Sequence, residues 1–408
     1  MFKKYKKEIL FLIFLIIGFL LNSKIVISIS TFFLIYILFM KNLLNNEIKK
    51  FKYSINIKPQ YVIEGDTISI NYKLNFFNTK ILNFELIPYL PTYFIPVDKK
   101  NLFIQIEENK EYDHLFKVIA KKRGRYFIGN FKLRLYDVLG VVNIENFFET
   151  NFEVIVFPKM INIKKSIVKT IEPSFGLKVK EKIFEDFTSI QGHRKYTGNE
   201  EFKKINWKVS AHKGELMVKE FPSTAITSVT IIIDPFASKN SRNQEIYEEH
   251  ITTISSSFVY FFERSKFNYG LWIPEFVRIK EGNGKDHMIK IISIISELKI
   301  NNEFDFIEFL NKNSQEIKNL KNVLILRRSL NIVELYNLMK VKNTISNFTI
   351  FLLPDYGFLY PWEKPHPYII EENEEIENIR KIKDSLKRDR INIIIIRGNE
   401  NIKDLIFV

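Results

Sequence analysis

The stretch VTIIIDPFAS, residues 229–238, decides the architecture of the C-terminal half. Apolar and β-branched residues run without interruption from Val229 to Ile233, and Asp234-Pro235 closes the run. A strand with one wet face would alternate; this one suits a parallel sheet covered on both sides. Outward from it, Ser241 and Gln244 form a capping-box start, and Ile246, His250, Ile254, Phe258 and Phe261 follow at helical spacing. His250 falls on the apolar face of that helix and reads as a core residue. The alternation continues with strands at Tyr269–Ile273, Val323–Leu326, Phe348–Leu353 and Ile391–Ile396. Between them come helices near Met288–Leu298, Ile332–Met339 and Glu371–Lys387. This order predicts a three-layer α/β domain over residues 228–408.

Upstream, residues 51–160 carry no long helical period. Short runs rich in Ile, Phe, Val, Tyr and Leu occur at Tyr53–Lys58, Thr67–Asn75, Phe84–Ile87, Leu102–Ile106, His114–Ala120 and Phe152–Phe157. Glu64-Gly65-Asp66 supplies a turn ahead of Ile68, Ile70, Tyr72 and Leu74, which fall on one face of a strand. The pattern predicts an immunoglobulin-like β-sandwich. Residues 161–227 read as a linker followed by a distinctive motif.

Residues 1–50 read as a membrane anchor. Lys3, Lys4, Lys6 and Lys7 precede an uncharged run from Ile9 to Ser23, and a second runs from Ile25 to Met40 after Lys24. One straight helix from Ile9 to Met40 would be roughly 48 Å long, beyond a hydrocarbon core of ~30 Å. Its central Lys24 would cost about 2.5–3.5 kcal/mol. A transmembrane hairpin instead puts Asn22-Ser23-Lys24 at the far interface and both Lys clusters, the first and the later Lys41, Lys49, Lys50 and Lys52, on the cytoplasmic side. That places the soluble domains in the cytoplasm, on the inner membrane. The competing reading, a cleaved signal peptide, lacks an Ala-x-Ala site, since the first alanine is Ala120.

The 408 residues carry 61 Lys and Arg against 47 Asp and Glu, a formal charge of +14, and no cysteine. The absence of cysteine excludes zinc ribbons, iron–sulfur clusters and thiol nucleophiles. The basic residues are dispersed rather than blocked, which argues against nucleic-acid binding. No HExxH, P-loop, GxSxG or GxGxxG motif occurs, and no small-molecule substrate site is evident. Ligands of open parallel sheets bind beyond the carboxyl ends of the strands, where Asp234 and Ser238 stand. Asp-x-Ser-x-Ser after a first strand opens the metal-ion-dependent adhesion site of von Willebrand factor A domains, which this domain resembles in element order. Hard oxygen ligands there would suit Mg²⁺. Phe236 replaces the middle serine, and Arg327-Arg328-Ser329 stands where a third carboxylate is expected, so the candidate metal pair Asp234 and Ser238 is degenerate. The alternative is that Asp234 caps a turn, with no cofactor.

The most informative segment is Phe187–Phe221, FTSIQGHRKYTGNEEFKKINWKVSAHKGELMVKEF. It resembles the signature of the bacterial domain of unknown function 58 family, in which Arg-x-Tyr, a Pro-Gly-Asp turn and Ile-Asp-Trp or Ile-Asn-Trp precede Ser-Ala-Arg. The matching positions are Arg194 and Tyr196, then Ile205, Asn206 and Trp207, then Lys208, Ser210 and Ala211, with Lys219 beyond. Gly198-Asn199-Glu200 replaces the turn and His212 the arginine. Arg123-Gly124-Arg125-Tyr126 and Asp137-Val138-Leu139-Gly140-Val141 resemble two further family elements.

The resemblance implies a membrane hairpin, a sandwich and a factor-A-like domain, with a MoxR-type AAA+ ATPase as protein partner. On this reading the chain is a non-enzymatic scaffold or adaptor whose contacts are Arg194, Tyr196, Asn206, Trp207, Lys208, Ser210 and Lys219. Two alternatives stand beside it. Trp207 and Tyr196 would instead pack the segment against the sheet, or Asp234 and Ser238 would serve a metal-dependent enzyme or adhesion-type module near the membrane.

Overall fold

The computed structural model describes residues 6–76, 83–97, 101–105, 110–162, 183–185, 192–198, 204–220, 223–225, 228–235, 244–299, 305–343, 346–353, 359–360, 362–364 and 374–396. The chain divides into two units, Met1–Pro158 and Lys159–Val408.

In the first unit, α1 (Lys6–Leu20) and α2 (Lys24–Lys50) are separated at Leu21-Asn22-Ser23, where the sequence pattern breaks. The two helices pack along each other: Phe11 stacks on Phe33 at 4.9 Å, and Gly18 lets Ile27 approach so closely that a Cβ would sit 3.0 Å from it. Among the described residues α2 is the one helix long and apolar enough to cross a membrane; the apolar part of α1, Ile9–Leu20, is shorter. Ile25, Ile29, Phe32, Ile35, Leu38 and Phe39 stay exposed, whereas Ile37, Met40 and Leu44 enter the core of the strands that follow.

Those strands are β1 (Lys52–Lys58), β2 (Tyr61–Ile63), β3 (Thr67–Asn75), β4 (Asn83–Pro88), β5 (Phe94–Pro96), β6 (Leu102–Gln105), β7 (Glu111–Ala120), β8 (Gly124–Ile128), β9 (Phe131–Tyr136), β10 (Asn143–Phe148) and β11 (Phe152–Phe157). They form sheets ordered β1-β3-β7-β5, β10-β9-β4-β6 and β2-β11-β8. On β3 the alternating Ile68, Ile70, Tyr72 and Leu74 are all buried, sharing a core with Phe84 and Leu86 of β4 and Leu133 and Leu135 of β9. β2, β5 and β8–β10 escaped the sequence reading because they are short or carry polar faces.

Two motifs noted in the sequence are structural here. Tyr126 Oη reaches the carbonyl oxygens of Lys122 (3.0 Å) and Arg123 (3.1 Å), closing the bend before β8. Gly124, at φ +142°, adopts a backbone conformation that a side chain would strain. Asp137 is fully buried in the β9–β10 turn, and its Oδ1 accepts from the Val142 N–H at 2.8 Å.

The second unit begins with β12 (Ile183–Glu185), β13 (Gly192–Lys195), α3 (Trp207–Lys213), β14 (Met217–Glu220) and β15 (Ser223–Ala225). The α/β part follows as β16 (Ser228–Ile233), α4 (Gln244–Arg264), β17 (Asn268–Ile273), β18 (Val277–Gly282), α5 (Lys285–Glu297), α6 (Phe306–Lys312), α7 (Ser314–Asn319), β19 (Asn322–Arg327), α8 (Ile332–Val341), β20 (Asn347–Leu352), α9 (Glu374–Leu386) and β21 (Ile391–Ile395). The sheet runs β18-β17-β16-β19-β20-β21 and is mixed, since β18 pairs antiparallel with β17 while the other pairs are parallel. The sequence reading anticipated the parallel strands and missed β18, an edge strand whose Arg278, Lys280 and Glu281 are exposed. Residues of α6–α9 pack on Ile325, Ile350 and Ile393 on one face, and Phe258 of α4 meets Phe351 on the other. The expected cap Ser241 lies outside the described residues.

Candidate functional site

The distinctive segment folds into a small ribbon and one helix. β13 and β14 pair antiparallel with Arg194 opposite Val218, and Ile205 bridges to Val218. Asn206 is the N-cap of α3: its Oδ1 accepts from the Val209 N–H at 3.3 Å, its own N–H donates to Met217 O at 2.8 Å, and its Nδ2 lies 2.7 Å from His193 Nε2. Ser210, one turn on, is buried; its hydroxyl donates to Asn206 O and accepts from the Met217 N–H, both at 2.8 Å. Gly214 ends α3 in the left-handed conformation at φ 68°. Tyr196 is half-buried, its N–H donating to Leu216 O at 2.8 Å and its hydroxyl to Gly198 O at 3.3 Å.

Asn206 and Ser210 therefore hold the backbone together. Trp207, between them, is 63% exposed, and Lys208 and Arg194 are exposed as well; Lys219 is half-buried. A tryptophan in water at the first position of a tightly bonded helix is not a packing residue of its own unit. His193, which touches the cap Asn206, escaped the sequence reading because that contact joins residues on different elements.

We expect Ser210→Ala to leave the buried Met217 N–H without its acceptor and to destabilise this motif by about 1–3 kcal/mol. The check is faster amide exchange at Met217 and Val218, with Arg327 neighbours unaffected; unchanged exchange would refute the role given to the hydroxyl.

At the carboxyl end of β16, Asp234 is buried and its Oδ2 lies 3.2 Å from Arg327 Nε. Arg327, at the end of the adjacent β19, also places Nη2 2.9 Å from Glu334 Oε1 and its guanidinium carbon 3.9 Å from the Phe306 ring centroid. Glu334 in turn completes a capping box at the start of α8, its Oε2 accepting from the Asn331 N–H at 2.9 Å. The carboxylate expected to help hold a metal is instead one end of an ion-pair chain. A guanidinium on Asp234 opposes a divalent cation, so among the described residues the groups around it do not fit Mg²⁺. Ser238 lies outside the described residues. Among the described residues no cluster of three His, Asp or Glu side chains is placed to hold a metal ion.

A second polar cluster lies on α4. Glu249 Oε1 accepts from Lys159 Nζ at 3.0 Å and from the Tyr360 hydroxyl at 2.8 Å. Burial alone would raise this carboxyl, but those two bonds outweigh it and hold it below the usual range. The neighbouring His250 is buried with its ring 5.4 Å from Tyr360, and burial pushes its imidazole down to about 4.

Residues 192–315 match the model of the family described as protein of unknown function DUF58. Over 135 residues the chain is 24% identical to the uncharacterized protein YeaD of Bacillus subtilis (strain 168), a match covering 33% of this chain. The matched region spans 32% of that relative's length. Both matches support the DUF58 relationship expected from the signature segment. Partial likeness to solved structures extends to native alpha-2-macroglobulin from Escherichia coli, domain MG7 to the C-terminus, at 11% identity over 28% of this chain and 17% of that one, with a TM-score of 0.21. A FixG-related protein from Vibrio parahaemolyticus aligns at 12% identity over 26% of this chain and 95% of that one, with a TM-score of 0.19.

Proposed function

We propose that this chain is a membrane-anchored, non-enzymatic adaptor that captures a protein partner through the Trp207 motif. The observation that carries the proposal is the 63% exposure of Trp207 on a helix whose flanking Asn206 and Ser210 are spent on backbone bonds. Exposed tryptophan followed by exposed Lys208, with Arg194 exposed on the same motif, is the composition of an interface anchor. The DUF58 resemblance makes a MoxR-type AAA+ ATPase the first candidate partner. In this reading α1 and α2 form a transmembrane hairpin, the first-unit strands an immunoglobulin-like sandwich, and the mixed sheet a factor-A-like domain. The hairpin would hold the soluble parts on the cytoplasmic face of the inner membrane. A metal-linked activity finds no support at Asp234, where Arg327 already pairs with the carboxylate.

The test is detergent extraction of tagged full-length protein with and without ATP, beside a Trp207→Ala sample. We expect nucleotide-dependent recovery of an AAA+ ATPase, weakened by about 2 kcal/mol or roughly 30-fold in the variant, with the thermal midpoint unchanged. Recovery of no ATPase by either sample would remove the adaptor reading, and equal recovery by both would move the interface away from Trp207.

A further inference from the structure

The β9–β10 turn carries two largely exposed apolar side chains, Val138 at 59% and Leu139 at 64% exposure. Its backbone is nevertheless tightly fixed. The Asp137 N–H donates to Val142 O at 3.1 Å, and the Asp137 carbonyl accepts from the Gly140 N–H at 3.1 Å. The buried Asp137 side chain accepts from the Val142 N–H through Oδ1 and from the Tyr36 hydroxyl through Oδ2, at 2.5 Å. Tyr36 belongs to α2, so the turn is latched to the helix read above as a membrane span.

A second attachment fixes the direction of the hairpin. At the end of α2, Phe51 packs on Phe148 at 5.4 Å and on Phe131 at 6.5 Å between ring centroids. Tyr36 to Phe51 is about 22 Å along a helix, and Phe131 to Asp137 about 20 Å along a strand. The two lengths agree, so β9 and β10 run alongside α2 with their turn pointing toward its N-terminal, apolar half. The exposed side of α2 stays apolar through Ile35, Leu38 and Phe39 and becomes polar at Asn42, Asn45 and Asn46. Asn42 lies about 9 Å further along the helix than Tyr36. The Asp137 latch thus sits on the apolar side of that boundary, level with side chains that would face acyl chains.

We propose that Val138 and Leu139 form a lipid-inserted foot, by which the strand domain is seated in the bilayer interface beside α2. The proposal rests on the membrane reading of α2. It gives the Asp137-Val138-Leu139-Gly140-Val141 element a purpose: the aspartate orients the turn and neutralises its own polarity inward, while the two apolar residues meet lipid. Insertion of a few side chains to the headgroup–acyl boundary is the depth at which amphipathic elements bind membranes.

The chain has no native cysteine, so single reporters are available without background. Full-length protein carrying Leu139→Cys, Val138→Cys or Leu38→Cys is labelled with bimane and reconstituted in phosphatidylcholine–phosphatidylglycerol vesicles. Quenching by doxyl-labelled lipid is then compared with quenching by aqueous iodide. We expect all three positions to be quenched several-fold more by the lipid probe than by iodide. If Leu38→Cys reads lipid while Leu139→Cys and Val138→Cys read water, the foot is overturned and the anchor survives. If Leu38→Cys itself reads water, the membrane reading of α2 fails and the foot with it. Shielding of both turn positions from both quenchers would mean that protein, such as a second copy of the chain, covers the turn, and would also overturn the proposal.

Discussion

Arg327→Met is expected to destabilise the C-terminal unit by about 3–5 kcal/mol, because it removes the buried guanidinium paired with the Asp234 carboxylate and with Glu334. The guanidinium also lies over the Phe306 ring, so its loss removes packing as well as charge. In thermal unfolding of the full chain this should appear as a fall on the order of 10 °C. Adding Asp234→Asn to Arg327→Met should recover part of the loss, since a neutral amide no longer demands a counter-ion. Addition of Mg²⁺ should leave the wild-type midpoint where it is. A variant within about 1 kcal/mol of wild type, or a wild type stabilised by Mg²⁺, would contradict the ion-pair account and return Asp234 to metal binding.

Acid should weaken the same unit through His250. Burial holds this imidazole neutral in the folded state, with its pKa down at about 4 against 6.5 when exposed. The unfolded chain therefore takes up the proton first. Stability from this group is complete above pH 6.5, declines as pH falls toward 4, and is exhausted below that, a loss of roughly 3 kcal/mol. Glu249, whose carboxyl is held below its usual range, adds a further loss in the same direction at lower pH. Urea unfolding of full-length His250→Gln should show a much flatter dependence between neutral pH and pH 4 than wild type. Parallel slopes in the two proteins would mean that His250 is protonated in the folded state.

Much of the fold was legible because it is written in periods. The runs at Val229–Ile233, Val323–Leu326 and Phe348–Leu353 are apolar on both faces, and the structure buries them in the interior of the mixed sheet. The alternation of Ile68, Ile70, Tyr72 and Leu74 likewise reports a single buried face. β18 was not legible: an edge strand is half-solvated, so its residues resemble a polar loop. Of the signature segment, the sequence showed that Asn206, Trp207 and Ser210 stand close together in the chain. It did not show which of them faces inward.

The sequence by itself determined where the apolar segments, the strongly periodic strands and the longer helices fall, because periodicity depends on neighbours within a few residues. Only the tertiary structure decided that Arg327 reaches Asp234, that Tyr36 latches Asp137, and that Trp207 faces water while Ser210 does not. Those outcomes join or separate residues distant in the chain. They are set by which strand lies beside which and by what remains to cover each surface, and no local spacing encodes either.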